Sequence, residues 1–216
     1  MSQRARFLAS EGDAYHARNL ERAALAAADP VLAALRDLAP SPRRVLEVGA
    51  GDGWRLAGLG EQLPDTLRVG IDPSLAALRA GAKRAPRVAC VRATAERLPF
   101  RSGTFELAIF GFCLYLIDRE DLFAVAAEVD RVLAPCAHLA IFDFLPDAPQ
   151  RRHYAHAEGV SSYKMDYARM FLWNPAYRCV SRRTLTHRGG DPQRTGDRLA
   201  ISVLRRDAAH AWPEAT

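Results

Sequence analysis

A short apolar run that breaks into three alternating glycines constrains this chain more than any other feature. Residues 45–53 read Val-Leu-Glu-Val-Gly-Ala-Gly-Asp-Gly. Val45, Leu46 and Val48 have the character of a buried strand, with Glu47 the one acid inside it. Glycine adopts backbone angles that other residues resist, and it lets a ligand approach the main chain closely. A strand that ends this way and feeds a helix aims free backbone N–H groups at a nucleotide-type ligand. The spacing then discriminates. A dinucleotide turn takes G-x-G-x-x-G, which asks for a small residue at position 54. Position 54 is Trp, so a dehydrogenase is disfavoured.

The rest of the chain alternates strands with helices. Residues 12–28 have Ala-rich helical periodicity. Asp29-Pro30 then supplies an N-cap and a first-turn proline for a second helix, Val31 to Leu38. Strands are expected at 44–48, 67–71, 88–92, 105–110 and 139–144, with helices at 54–63, from Ser74 through Lys83, and at 119–133. Strands 177–186 and 198–205 flank a polar loop without an intervening helix, hence an antiparallel hairpin. The expectation is one α/β domain over residues 1–216, a Rossmann-like doubly wound sheet of seven strands, mostly parallel, with a C-terminal antiparallel hairpin. Residues 1–40 form an N-terminal helical cap, and residues 145–176 a substrate-facing insertion.

Composition excludes several classes. The first residues lack the apolar run of a signal peptide, and no stretch is long enough to span a membrane. The four cysteines are scattered without C-x-x-C, which suits reduced thiols in a cytoplasmic protein and gives no metal site. The net charge of +5 comes largely from late arginines. They are not interleaved with aromatics as a stacking platform requires, so nucleic acid is an unlikely partner. A homodimer is left open.

Four stretches together resemble the class I S-adenosylmethionine (SAM)-dependent methyltransferases, of the small-molecule type whose middle motif reads A-E-x-L-P-F. They are the turn with Glu47, Gly49, Gly51 and Gly53; Val69-Gly70-Ile71-Asp72; Ala93-Thr94-Ala95-Glu96-Arg97-Leu98-Pro99-Phe100; and Phe105 to Tyr115. The stretch Gly12-Asp13-Ala14-Tyr15-His16-Ala17-Arg18-Asn19 is similar to the lead-in of surface-polysaccharide-associated methyltransferases.

The resemblance implies SAM as cofactor and S-adenosylhomocysteine as product. The glycine turn would lie against the methionine part and ribose. Glu47 would accept hydrogen bonds from backbone N–H groups or water beside it. Asp72, next to Pro73, would accept both ribose hydroxyls, although Asp72-Pro73-Ser74 also fits a helix N-cap. Thr94 replaces a usual Asp at the adenine amino group, with Ala95 and Glu96 along the adenine edge. Phe110 ends the strand that faces the methyl group. Tyr15, Arg18 and Asn19 share a helix face, and Arg18 would pair with the SAM carboxylate. The usual Gly-Gly before the fifth strand is replaced by Cys136-Ala137.

Methyl transfer needs alignment more than a triad or metal. The acceptor would be a small molecule, a sugar or a natural-product intermediate, methylated on O or N. His153 or His156 is the expected base, because imidazole titrates near neutrality. Tyr115 is the third catalytic candidate. Tyr154, Tyr163, Lys164 and Asp166 are the expected substrate contacts. A SAM-binding protein without transfer activity and an RNA methyltransferase are the alternatives.

Overall fold

The computed structural model describes residues 1–20, 28–36, 38–187, 191 and 195–214. Its seven-stranded sheet has the order β3-β2-β1-β4-β5-β9-β8. These strands are β1 (Arg44–Val48), β2 (Leu67–Asp72), β3 (Val88–Arg92), β4 (Phe105–Gly111), β5 (Leu133–Phe144), β8 (Tyr177–Thr186) and β9 (Arg198–Asp207). The first five run parallel, and β9 lies antiparallel between β5 and β8. The order reverses at β1, whose neighbours are β2 and β4. In open α/β sheets that switch point is where a crevice opens beyond the carboxyl ends.

Strand alternation sends residues to two cores. Val45, Leu107 and Ile109 face helices α3 (Pro30–Leu35) and α4 (Trp54–Gln62), against Leu32, Leu56 and Leu59. Leu46, Val48, Ala108 and Phe110 face the other way, against Val125 and Val129 of α6 (Leu122–Val132). Asp29 caps α3 as expected, accepting from Leu32 N at 2.9 Å. Helix α5 (Leu75–Arg84) is capped by Ser74, whose Oγ accepts from Ala77 N at 3.0 Å.

Several elements differ from the sequence expectation. The chain opens with α1 (Gln3–Arg6), a π-type turn at Phe7–Glu11 and α2 (Gly12–Arg18). Residues 21–27 of the expected 12–28 helix lie outside the described residues. β5 begins at Leu133, directly after α6, and runs through Pro135 and Cys136 with Cys136 paired to Asp207. No tight turn therefore exists where a Gly-Gly pair is missing, and no positive φ is demanded there. Within residues 145–176 the chain builds a second small sheet, β6 (Gln150–His153) paired antiparallel to β7 (Ser161–Lys164), then α7 (Arg169–Leu172). No helix among the described residues is long and apolar enough to cross a membrane.

Candidate functional site

Two adjoining cavities open where β1, β2 and β4 end. They share Gly12, Tyr15, Gly49, Asp72 and Gly111. The larger is mostly apolar, walled by Val48, Ile71, Phe112 and Leu116, with Thr94, Ala95 and Glu96 along one edge. The smaller follows the turn from Gly49 to Asp52 and is closed by His16, Asn19, Trp54 and Arg55.

The turn has the geometry glycine permits: φ is +73° at Gly49, +57° at Gly51 and +72° at Gly53. A Cβ at Gly49 would stand 2.8 Å from Cys113 Cβ. A Cβ at Gly51 would meet nothing within 4 Å, so conformation alone selects glycine there and the space beside it is open.

Asp72 sits between the cavities. Its Oδ2 accepts from Gly51 N and its Oδ1 from Ser74 N, both at 2.8 Å. Because Ser74 caps α5, Asp72 is spared that duty. Each carboxylate oxygen retains a further lone pair for a ligand hydroxyl. Burial nevertheless pushes its pKa up, against the pull of those two N–H groups. Pro73 follows in the wall of the larger cavity. Thr94 Oγ1 donates to Glu96 Oε1 at 2.6 Å, and Arg4 pairs with Glu96 at 3.1 Å.

The N-terminal segment completes the larger cavity with Arg4, Phe7, Gly12 and Tyr15. It is fixed by long-range bonds. Gln3 N and Arg4 N donate to Asp118, at 3.1 and 2.9 Å. Gln3 Nε2 donates to Leu116 O at 2.8 Å, and Ser161 N donates to Gln3 Oε1 at 2.6 Å.

The structure departs from several sequence expectations. Glu47 is wholly buried and meets a guanidinium rather than backbone N–H groups: Arg55 Nη1 pairs with its Oε1. Arg55 also grips Asp29, Nε at 3.2 Å from both oxygens and Nη2 at 3.1 Å from Oδ2. Glu47 Oε2 has no partner among the described residues. Burial outweighs Arg55 and lifts Glu47 to about 7. Gly111 makes room for this triad, since a Cβ there would lie 2.0 Å from Arg55 Nη1 and 2.5 Å from Glu47 Oε1.

Phe110 is buried in the core and lines neither cavity; Phe112 does. Phe112 holds φ +77°, the one non-glycine at positive φ among the described residues. Its ring sits 4.9 Å from Tyr115, 5.4 Å from Phe142 and 5.0 Å from Phe144. Tyr15 lines both cavities. Asn19 has left the helix at φ −123° and lines the smaller one, donating to Tyr15 O at 2.7 Å. Arg18 lines neither. It pairs with Glu11 and donates to Tyr154 Oη at 3.2 Å. The guanidinium at the smaller cavity is that of Arg55.

None of the expected catalytic residues lines the two cavities; Tyr115 packs behind Phe112 and Tyr15, which do. It is buried in contact with Tyr15, and burial pushes its phenol well above the usual range. His153 and His156 are exposed on the β6–β7 hairpin and its loop, and neither lines the two cavities. Among the expected substrate contacts, Tyr154 is buried against Arg18, and Tyr163 stacks 4.4 Å from the Arg119 guanidinium. Lys164 Nζ donates to Gly196 O at 2.7 Å and lies 3.7 Å over the Phe144 ring. Asp166 is held by Arg182 at 3.0 and 3.1 Å.

Comparison with known proteins agrees with this architecture. Residues 45–136 match the family described as a methyltransferase domain. The chain is 33% identical over 134 residues to a malonyl-[acyl-carrier protein] O-methyltransferase of Halorhodospira halophila, covering 61% of this chain and 45% of that protein. It is 36% identical over 123 residues to a demethylmenaquinone methyltransferase of Deinococcus radiodurans, covering 54% and 49%. The chain thus spans about half the length of these curated relatives. Among solved structures it resembles the Burkholderia thailandensis 1,6-didemethyltoxoflavin-N1-methyltransferase with bound 1,6-didemethyltoxoflavin and S-adenosylhomocysteine. The TM-score is 0.70 at 22% identity, over 94% of this chain and 86% of that one. Sheet order and glycine turn agree with the match of residues 45–136 to a methyltransferase domain, and the likeness to the solved structure is one of fold.

Proposed function

We propose that the chain transfers a methyl group from SAM to an oxygen or nitrogen of a small molecule, working in the cytoplasm. The observation that carries this reading is Asp72, a half-buried carboxylate with spare acceptor capacity where the two cavities meet. Its oxygens would take the ribose hydroxyls. The Gly49–Gly53 turn, Asn19 and Tyr15 would border the methionine end, and Thr94, Ala95 and Glu96 the adenine.

SAM supplies an activated methyl group on a sulfonium for in-line displacement. The protein's part is alignment, which can be worth about 7–11 kcal/mol. Phe112 and Tyr15 would border the acceptor where β4 ends, with Tyr115 packed behind them. The Tyr115 phenol is buried and engaged with Tyr15, so its part would be to position Tyr15 rather than to take the acceptor's proton. His153 and His156 would need the hairpin to move before either could serve as base.

Calorimetry with S-adenosylhomocysteine and with NADH tests the cofactor. Heat with the first and none with the second is expected, and the reverse refutes the reading. Turnover of SAM against a panel of small hydroxyl and amine compounds tests transfer. Binding without turnover would leave a SAM-binding protein, and salt-sensitive methylation of RNA would move the acceptor class.

A further inference from the structure

The loop that follows β4 supplies a wall of the larger cavity and the outlying backbone of Phe112. Gly111, Phe112, Cys113, Leu116, Ile117 and Asp118 line that cavity, whereas Leu114 and Tyr115 do not. A φ of +77° is an outlier for a bulky side chain, and such a conformation persists only where its surroundings over-determine it. An extended residue at 112 would prolong β4 and share the strand face of Phe110, which is buried in the core.

Two charged side chains hold this loop from outside the cavities, which neither of them lines. Asp143, buried at the end of β5, takes N–H groups of the two residues that leave the wall. Tyr115 N donates to its Oδ2 at 3.3 Å, and Phe144 N donates to its Oδ1 at 2.8 Å. Burial lifts Asp143 to about 7, against the pull of the Phe144, Tyr115 and Leu114 N–H groups. Arg119 takes the carbonyls of the same loop: Nη2 donates to Leu114 O at 3.0 Å and Nε to Ile117 O at 3.1 Å. Its fork is oriented by Tyr167 Oη, which accepts from Nη1 at 2.9 Å, and by the Tyr163 ring 4.4 Å away. A planar guanidinium fixes two carbonyls at a set spacing, which an ammonium does not.

We propose that Asp143 and Arg119 are positioning residues for methyl transfer: they clamp the loop after β4 so that Phe112 stands as a fixed wall of the larger cavity, against which the acceptor is aligned. The inference rests on the methyl-transfer reading for the acceptor's role. Neither side chain has to touch the acceptor. Alignment is the protein's main part in an in-line displacement, and a loosened wall loses it even while the cofactor binds. Glycine reaches positive φ without help, so a glycine at 112 should make the clamp dispensable. That coupling separates a clamp from general support of the core.

Cys113, beside Phe112, reports on the loop without turnover. Burial pushes its thiol well above the usual range, so iodoacetamide reacts slowly while the loop is held. Labelling of the folded protein at about pH 8, above the Asp143 value, is read by peptide mass spectrometry. Asp143→Asn leaves one acceptor oxygen in place of two, and it is expected to speed Cys113 labelling about tenfold or more, with Cys90 on β3 unchanged. Arg119→Lys, at a half-buried position, is expected to do the same and replaces Asp143→Asn if that variant does not fold. In a chain that also carries Phe112→Gly, either substitution is expected to change Cys113 labelling by less than about twofold relative to Phe112→Gly alone. Equal acceleration with and without Phe112→Gly, no acceleration in either, or a parallel rise at Cys90 overturns the clamp. For transfer, kcat with the fastest compound of the hydroxyl and amine panel is expected to fall about tenfold or more in Asp143→Asn, while S-adenosylhomocysteine affinity stays within about threefold. An equal fall in both overturns the alignment role. Absence of turnover with every compound refutes the transfer reading and the alignment role with it, and the labelling ratios alone then decide the clamp.

Discussion

Replacing Glu47 by Gln isolates the ionisation of the buried triad. In the folded protein burial lifts the Glu47 carboxyl from 4.5 to about 7, although Arg55 pulls the other way. The fold therefore prefers the protonated acid. Between pH 4.5 and 7 the native state binds more protons than the unfolded chain, so stability falls as pH rises through that window and levels off above it. At 1.36 kcal/mol per pKa unit, the loss is roughly 3 kcal/mol. Glutamine keeps the shape and offers a carbonyl oxygen to Arg55, but it does not titrate. Urea unfolding of both proteins from pH 5 to 8 removes the contribution of every other titrating group by subtraction, including Asp143, which burial also lifts to about 7. The variant is expected to gain on the native sequence by roughly 3 kcal/mol across the window. A difference that stays flat with pH would show that Glu47 is ionised throughout and that Arg55 neutralises the burial cost.

Three other perturbations follow from the same geometry. Arg55→Met leaves Asp29 and Glu47 buried without their cation, and breaking a buried pair in this way should cost about 3–5 kcal/mol in urea unfolding; a cost under about 1 kcal/mol would mean the triad is solvated. Gly111→Ala drives a Cβ to 2.0 Å from Arg55 Nη1 and should cost about 1–3 kcal/mol or more, whereas Gly103→Ala, with nothing within 4 Å, should report only its φ of +65°. Asp72→Ala removes the proposed ribose acceptor and should weaken S-adenosylhomocysteine binding about a hundredfold or more by calorimetry; unchanged affinity would remove Asp72 from the site.

The sheet was legible because its signals are local. Val45, Leu46 and Val48 read as a strand from three residues, and the three positive φ angles follow from glycines visible in the string. Asp29 announced itself as a cap through the proline after it. Arg55 did not, because its role depends on two acids, eight and twenty-six residues before it, that the fold brings to one point. The available signal was a charged residue beside the apolar Leu56 in a buried helix. Arg18 misled for the opposite reason: it follows Tyr15 at helical spacing, and nothing nearby in the sequence says that Glu11 and Tyr154 will claim it. Phe110 and Phe112 are two apart and would share a strand face; the end of β4 at Gly111 and the positive φ of Phe112 separate them, which composition does not encode. The β6–β7 hairpin was hidden because its strands, Gln-Arg-Arg-His and Ser-Ser-Tyr-Lys, carry almost no apolar alternation.

The wall built from Arg4, Phe7, Gly12 and Tyr15 gives the chain two different boundaries. The family match runs from residue 45 to 136, yet the larger chamber borrows a side from residues lying thirty or more positions upstream of that span. An excised fragment covering the recognisable region would keep the glycine turn and Asp72 but expose them as an open shelf. Swapping that region into another scaffold would transplant the floor of the chamber and leave its enclosure behind.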